Sequence, residues 1–282
     1  MFGKDRVDAR PGFEVGLSRI WSPARADPAA RCFLRPSMQT PLFEKGYAVA
    51  ADPMTEARWL GSVDPFPILQ WVWGRLSDRR GRLIGCAGCR HVTHLITDPR
   101  TTGALEVAER FADAEASSAE LEAAHKGATK AQNAQKRKAL LFAYAAVMDA
   151  SAPWRSPTSG HGLTAGALTN AVRAKVLEAE PRLGYAHLQR DRPAAFTPMA
   201  DLVREVVGNP FRPVAIDPAW LTPTVEQLAR GTYAERAFDR LPVLADALQD
   251  AGCDNDDVLN HCRGPGPHVR GCWVVDLVLG KE

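Results

Sequence analysis

Apolar side chains recur along most of this chain at intervals of three and four. Proline, glycine and short polar residues divide the recurrences into blocks. That spacing marks helices with one buried face. The first block opens at Met54, where Thr55-Glu56-Ala57-Arg58-Trp59-Leu60 reads as a helix start. Asp64-Pro65 supplies a cap and a first-turn proline for Ile68-Leu69-x-Trp71-Val72-Trp73. Ser77-Asp78 opens a helix expected from Arg79 to Ile96, and Thr97-Asp98-Pro99 separates it from another over Thr102 to Ala116. Ser117-Ser118 begins a long alanine-rich helix expected to reach Ala150, with Leu140, Leu141, Tyr144 and Val147 on its core side.

A turn-rich linker follows from Ala152 to Gly162, then helices over Leu163 to Glu178 and Met199 to Val207. Prolines make 209–214 extended. Thr222-Pro223 opens a helix to Phe238, and Leu241 to Ala251 forms another. Asp254 and Asn255 are N-cap candidates for a short helix through Val258, Leu259 and Cys262, ended by Gly264-Pro265-Gly266-Pro267. The apolar run Cys272 to Leu279 suits a strand or a helix by length. Gly280 and Lys281 favour a helix, as a C-cap glycine and a cation at the negative end of the dipole.

The expected fold is therefore mainly α: a multi-helix array or irregular helical bundle, with an N-terminal region over 54–150 and a C-terminal region over 163–282. Residues 1–53 lack a sustained period and scatter arginines among prolines, which predicts a disordered extension. Met54 reads as the initiator, with the preceding residues as upstream sequence.

Composition narrows the function classes. The 282 residues carry a net charge of +2, too small for a bulk attraction to nucleic acid or an anionic membrane. No stretch approaches the roughly 20 apolar residues that span a bilayer. Six cysteines in a chain of this length, with no signal-like segment ahead of them, point to a reduced cytoplasmic compartment. The one basic run, Lys126, Lys130, Lys136, Arg137 and Lys138, reads as a solvated helical face, with nucleic-acid contact as the alternative.

Candidate chemistry lies in two sulfur-containing regions. Cys86-x2-Cys89-x-His91-x2-His94 offers thiolate and imidazole donors on one helix, a mixture that suits zinc. Cys253-x8-Cys262-x5-His268-x3-Cys272 has spacing like that of CCCH zinc fingers with the last two ligand types exchanged. A joint site could draw on Cys86 and Cys89 together with Cys262 or Cys272. The alternative in each region is a set of small buried core thiols. Cys89 with His91 or His94, beside Arg90, could also form a nucleophile and base. Glu106, Glu109, Asp113 and Glu115 read as a solvated acidic face. No Gly-x-Ser-x-Gly elbow, Walker A sequence or dinucleotide fingerprint is present.

Met54-Thr55-Glu56-x-x-Trp59-Leu60, Ser77-Asp78-Arg79, Cys86 to His91, Asn209-Pro210-Phe211-Arg212-Pro213, Trp220-Leu221-Thr222-Pro223-Thr224 and His261 to Glu282 together resemble a large paralogous bacterial family seen chiefly in planctomycete-type genomes. The likeness covers 54–282. It implies the boundary at Met54 and the cytoplasmic compartment, and implies no chemistry. Members often carry a denser cysteine cluster where this chain has Cys86-Ala87-Gly88-Cys89. The function expected from the whole reading is a helical protein–protein interaction module with a protein partner and no cofactor. The alternative is a zinc-stabilised protein, structural or hydrolytic, using 86–94 or 253–272.

Overall fold

Short polar side chains start most of the helices. Thr55, Asp64, Ser77, Asp98, Ser117, Thr222 and Asn255 each accept a hydrogen bond from a backbone N–H two or three residues on. Each bond satisfies a donor that the first helical turn leaves free. The computed structural model describes residues 53–154, 156–182 and 193–281. All of them belong to one of the two units into which the chain divides, Val49–Glu282. The disorder expected for the N-terminal extension falls on residues outside those described, Pro53 excepted.

The architecture is all-α among the described residues, with twelve α-helices joined by loops and single 3-10 turns. In chain order they are α1 (Glu56–Gly61), α2 (Pro65–Val72), α3 (Asp78–Arg90), α4 (Pro99–Ala112), α5 (Ser118–Asn133) and α6 (Lys138–Ser151). Then come α7 (Pro157–Ala179), α8 (Thr197–Val207), α9 (Pro223–Glu235), α10 (Leu241–Asp250), α11 (Asp256–Arg263) and α12 (Trp273–Leu279). The terminal apolar run is a helix as expected, closed by Gly280 in the left-handed conformation.

Several boundaries differ from the sequence reading: the helix expected over Thr102 to Ala116 runs from Pro99 to Ala112, the one expected to reach Phe238 ends at Glu235, and three further differences are larger. The helix expected to reach Ile96 ends at Arg90, and Thr93–Leu95 is a separate 3-10 turn. The long helix after Ser117 breaks over residues 134–137. A continuous helix there would run about 50 Å, whereas the break lets α6 fold back against both α5 and α4. Within the supposed linker, Ser156 caps α7, which starts at Pro157.

Buried apolar side chains form two clusters. The first spans Trp59 to Val206 and surrounds α3, which packs on α4, α6, α7 and α8. The second spans Trp220 to Val278 and is built from α9 to α12. The segment between them turns back to the start of the unit. Phe211 stacks on Trp71 with centroids 5.1 Å apart, and Glu56 Oε1 accepts from Asn209 Nδ2 at 2.7 Å and Arg212 Nε at 2.6 Å. Arg212 also reaches Asp257 on α11 at 3.2 Å.

A polar seam joins the clusters. Arg79 on α3 donates to Asp113 Oδ1 at 2.8 Å, to both oxygens of Asp276 on α12 at 2.6 and 3.0 Å, and to the Tyr233 hydroxyl on α9 at 2.7 Å. Tyr233 donates to Asp113, Arg270 Nε donates to the same carboxylate at 2.9 Å, and Lys281 approaches it at 3.4 Å. Glu109 is buried as well, paired with Arg90 and with Arg236. The acidic positions at Glu109 and Asp113 are therefore interior anchors rather than a solvated face. Their end of α4 points into the basic residues of α3, α9 and the last loop. Burial pushes the Asp113 carboxyl up, and the hydrogen bonds from Arg79 and Tyr233 more than offset it, leaving the group below its ordinary value.

Removing Arg79 would leave Asp276, whose side chain is 0 % exposed, without its bidentate partner. Arg79→Met is expected to cost about 3–5 kcal/mol in urea denaturation at pH 7, while Arg230→Met, which breaks only a surface pair with Glu226, leaves the midpoint unchanged. Asp149 between α6 and α7 behaves oppositely. Burial raises its carboxyl from 3.8 to about 6, partly offset by the amide of Asn170. The charged form is thus disfavoured in the fold, so stability falls as pH rises through about 6. Asp149→Asn is expected to exceed the wild type in stability at pH 8, by on the order of 1–3 kcal/mol, and to show no advantage at pH 4 by the same denaturation assay.

Candidate metal centre

Four donor residues from separate segments meet where α8 faces the end of the chain. Glu205 comes from α8, His261 from α11, His268 from the following loop and Cys272 from the residue capping α12. One ligand-type atom from each lies within 4.8 Å of all the others. His261 Nε2 stands 3.2 Å from Cys272 Sγ and 3.4 Å from Glu205 Oε2, and His268 Nδ1 stands 3.2 Å from Glu205 Oε1. Edges of a zinc tetrahedron with bonds of about 2.0–2.3 Å run roughly 3.3–3.8 Å.

The docking of α8 and the turn after α11 together produce the convergence. Leu202, Val203 and Val206 bury one face of α8, and Glu205 shares that burial at 5 % exposed. Gly264-Pro265-Gly266-Pro267 then reverses the chain after α11. Gly266 has φ +86°, and a Cβ there would fall 2.7 Å from the His268 amide nitrogen. The turn brings His268 Nε2 to within 3.1 Å of the Gly264 carbonyl. Trp273 donates from Nε1 to His261 Nδ1 at 3.0 Å, and its ring lies against Gly208, φ +75°, where a Cβ would stand 3.2 Å from the indole.

Charge in the cluster is internally balanced. Burial alone would raise the Glu205 carboxyl, and hydrogen bonds from His261 and His268 outweigh it and hold the group below its ordinary value. Burial lowers the His268 imidazole, and Glu205 pulls it above its ordinary value. Burial pushes the Cys272 thiol well above its usual range, so a cation is needed to hold it as thiolate. One side of the cluster borders a cleft of about 230 Å³ lined by Glu205, His261 and His268 with Asn260, Pro265 and Pro267.

Compared with protein-family models, with curated proteins and with solved structures, the chain matches none.

Of the set Cys253, Cys262, His268 and Cys272, the fold brings together His268 and Cys272. Cys253 and Cys262 are packed in the second apolar cluster, and burial pushes Cys262 up to about 12. Cys262 follows His261 directly, and neighbours on a helix point about 100° apart, so one faces the core while the other faces the loop. The 86–94 set does not assemble. Cys86 and Cys89 are buried in the first cluster. His91 caps α3 at the surface, and His94, beyond the helix end, pairs with Glu178 at 3.0 Å. Nor do Cys86 and Cys89 join Cys262 or Cys272 in a shared set of donors: among the described residues Cys272 groups with Glu205, His261 and His268 instead. Cys89 also carries a thiol raised by burial, which opposes the nucleophile reading. Lys126, Lys130, Lys136, Arg137 and Lys138 are all exposed, with Lys126 near Glu122 at 3.8 Å.

Sequence reasoning missed Glu205 and His261. An acid inside the apolar stripe Leu202-Val203-x-Glu205-Val206 was the available signal for the first. His261, one residue from Cys262, was available by proximity alone.

Native protein at pH 8 treated with iodoacetamide is expected to show no alkylation of Cys86, Cys89, Cys253, Cys262 or Cys272, all of them free and buried. Peptide mass spectrometry after labelling in guanidinium should recover all five as modified.

Proposed function

We propose that this chain is a zinc-stabilised helical protein whose metal is held by Glu205, His268 and Cys272, with His261 beside them. The observation that carries the reading is the meeting of carboxylate, imidazole and thiol donors from α8, α11 and the last loop within 4.8 Å. A mixed sulfur, nitrogen and oxygen set suits zinc better than calcium or magnesium, which prefer oxygen alone. Glu205 sits on a helix of the first apolar cluster, and Cys272 belongs to the second. A metal between them would fasten one cluster to the other, and its binding energy would add to that of folding.

Two further points belong to the same proposal. The free thiols support a reducing, cytoplasmic setting, and no described helix is long and apolar enough to cross a membrane. Two of the motifs that carry the resemblance over 54–282 meet in the fold, Glu56 with Asn209 and Arg212. Partner binding is the second reading, favoured by Leu60 and Val63, which stand 48 % and 45 % exposed at and just beyond the end of α1.

Protein purified without metal-affinity resin is expected to hold one zinc per chain by elemental analysis. Cys272→Ser and His268→Gln should each reduce that below a tenth, and a chelator should lower the Tm of the wild type. Saturation at 1,000 times the dissociation constant corresponds to about 4 kcal/mol. Substoichiometric metal together with a chelator-independent Tm would remove the proposal.

A further inference from the structure

The hydrogen bonds around the two histidines decide how many ligands the centre offers. The Trp273 indole N–H can only donate, and it points at His261 Nδ1 from 3.0 Å. Nδ1 therefore presents its lone pair to the indole, and the neutral ring carries its proton on Nε2. Nε2 is the atom that faces Cys272 Sγ at 3.2 Å and Glu205 Oε2 at 3.4 Å. A metal takes a lone pair, so this ring enters the centre as an N–H donor to the ligand atoms.

His268 is arranged the other way. Its Nε2 reaches the Gly264 carbonyl at 3.1 Å, and a carbonyl can only accept. Nε2 therefore holds a proton, and Nδ1 is the atom turned toward Glu205 at 3.2 Å. Ligating imidazoles are ordinarily oriented in this manner, with the remote N–H donated to a backbone carbonyl or carboxylate.

We infer that the centre, on the zinc reading above, has three protein ligands, Glu205, His268 and Cys272, and keeps a fourth position for an exchangeable small ligand from the adjoining cleft. Binding displaces the protons of His268 Nδ1 and Cys272 Sγ to solvent. One carboxylate and one thiolate then cancel the two positive charges of the ion, so the resting fourth ligand is water. A small anion with one donor atom can replace it. The cleft of about 230 Å³ has Glu205, His261 and His268 in its wall and holds several waters at roughly 30 Å³ each. Three protein ligands with one exchangeable position is the arrangement of reactive zinc, and four is that of structural zinc. His261 is a positioning residue that donates to Glu205 or Cys272.

Cobalt(II) in place of zinc reads both the ligand count and the open position. Cobalt is expected to bind one per chain, with a near-ultraviolet thiolate charge-transfer band, and azide should shift its visible bands saturably. His261→Gln, which keeps an N–H donor, should weaken cobalt by about tenfold and preserve the azide response. His268→Gln should lose the charge-transfer band at the same concentrations. Bound cobalt whose bands ignore azide, in the wild type alone if His261→Gln does not fold, would show a closed four-ligand site and overturn the inference while leaving the metal reading intact. Failure of both cobalt and zinc to bind would overturn the two together.

Discussion

A carboxylate with no access to water must find its cations inside the protein, and Asp113 is such a group, with its side chain 0 % exposed. It stands just past the last turn of α4 and is met by Arg79, Tyr233, Arg270 and Lys281. These groups come from α3, α9, the loop before α12 and the end of the chain. Arg79 extends the set to Asp276 on α12. Buried ion pairs of this kind contribute little net stability, because desolvation offsets attraction, yet losing one partner is costly. Their effect is to fix which helices may lie together. Two apolar clusters could slide over each other on greasy surfaces alone, whereas five converging polar groups admit a single register.

The loop from Gly264 to Cys272 serves that seam and the candidate metal centre together. Arg270 goes to Asp113, while His268 and Cys272 on either side go toward Glu205. Asp276, one turn after Cys272, returns to Arg79. The donor atoms are thus held by a segment already anchored through a separate set of charges. Close placement of imidazole, carboxylate and thiol before any ion arrives is the preorganisation a binding site needs.

The helical class, most caps and the C-terminal helix were legible in the sequence because each depends on residues close together in the chain. Thr55, Asp64, Ser77, Asp98, Ser117, Thr222 and Asn255 cap where a short polar side chain precedes an apolar period. The stops at Arg90 and over residues 134–137 carry no proline or glycine, so no helix breaker marks them in the sequence. Half of the candidate centre was legible for the same reason. His268 and Cys272 share one short loop. Glu205 is brought to them only by the docking of α8, and no local pattern encodes that contact. Glu109 and Asp113 were misread because a charged residue on a helix looks alike whether it faces water or a buried guanidinium.

The glycine at 208 has no functional group, yet it bears on the imidazole of His261. With φ +75° and ψ −154° it occupies a conformation closed to other residues, and its bare α-carbon gives the Trp273 indole its seat. That indole in turn dictates which ring nitrogen of His261 carries hydrogen. A lineage could therefore redirect the hydrogen bonds of this cluster by changing a residue two steps away along the relay, leaving every carboxylate, thiol and imidazole as it was.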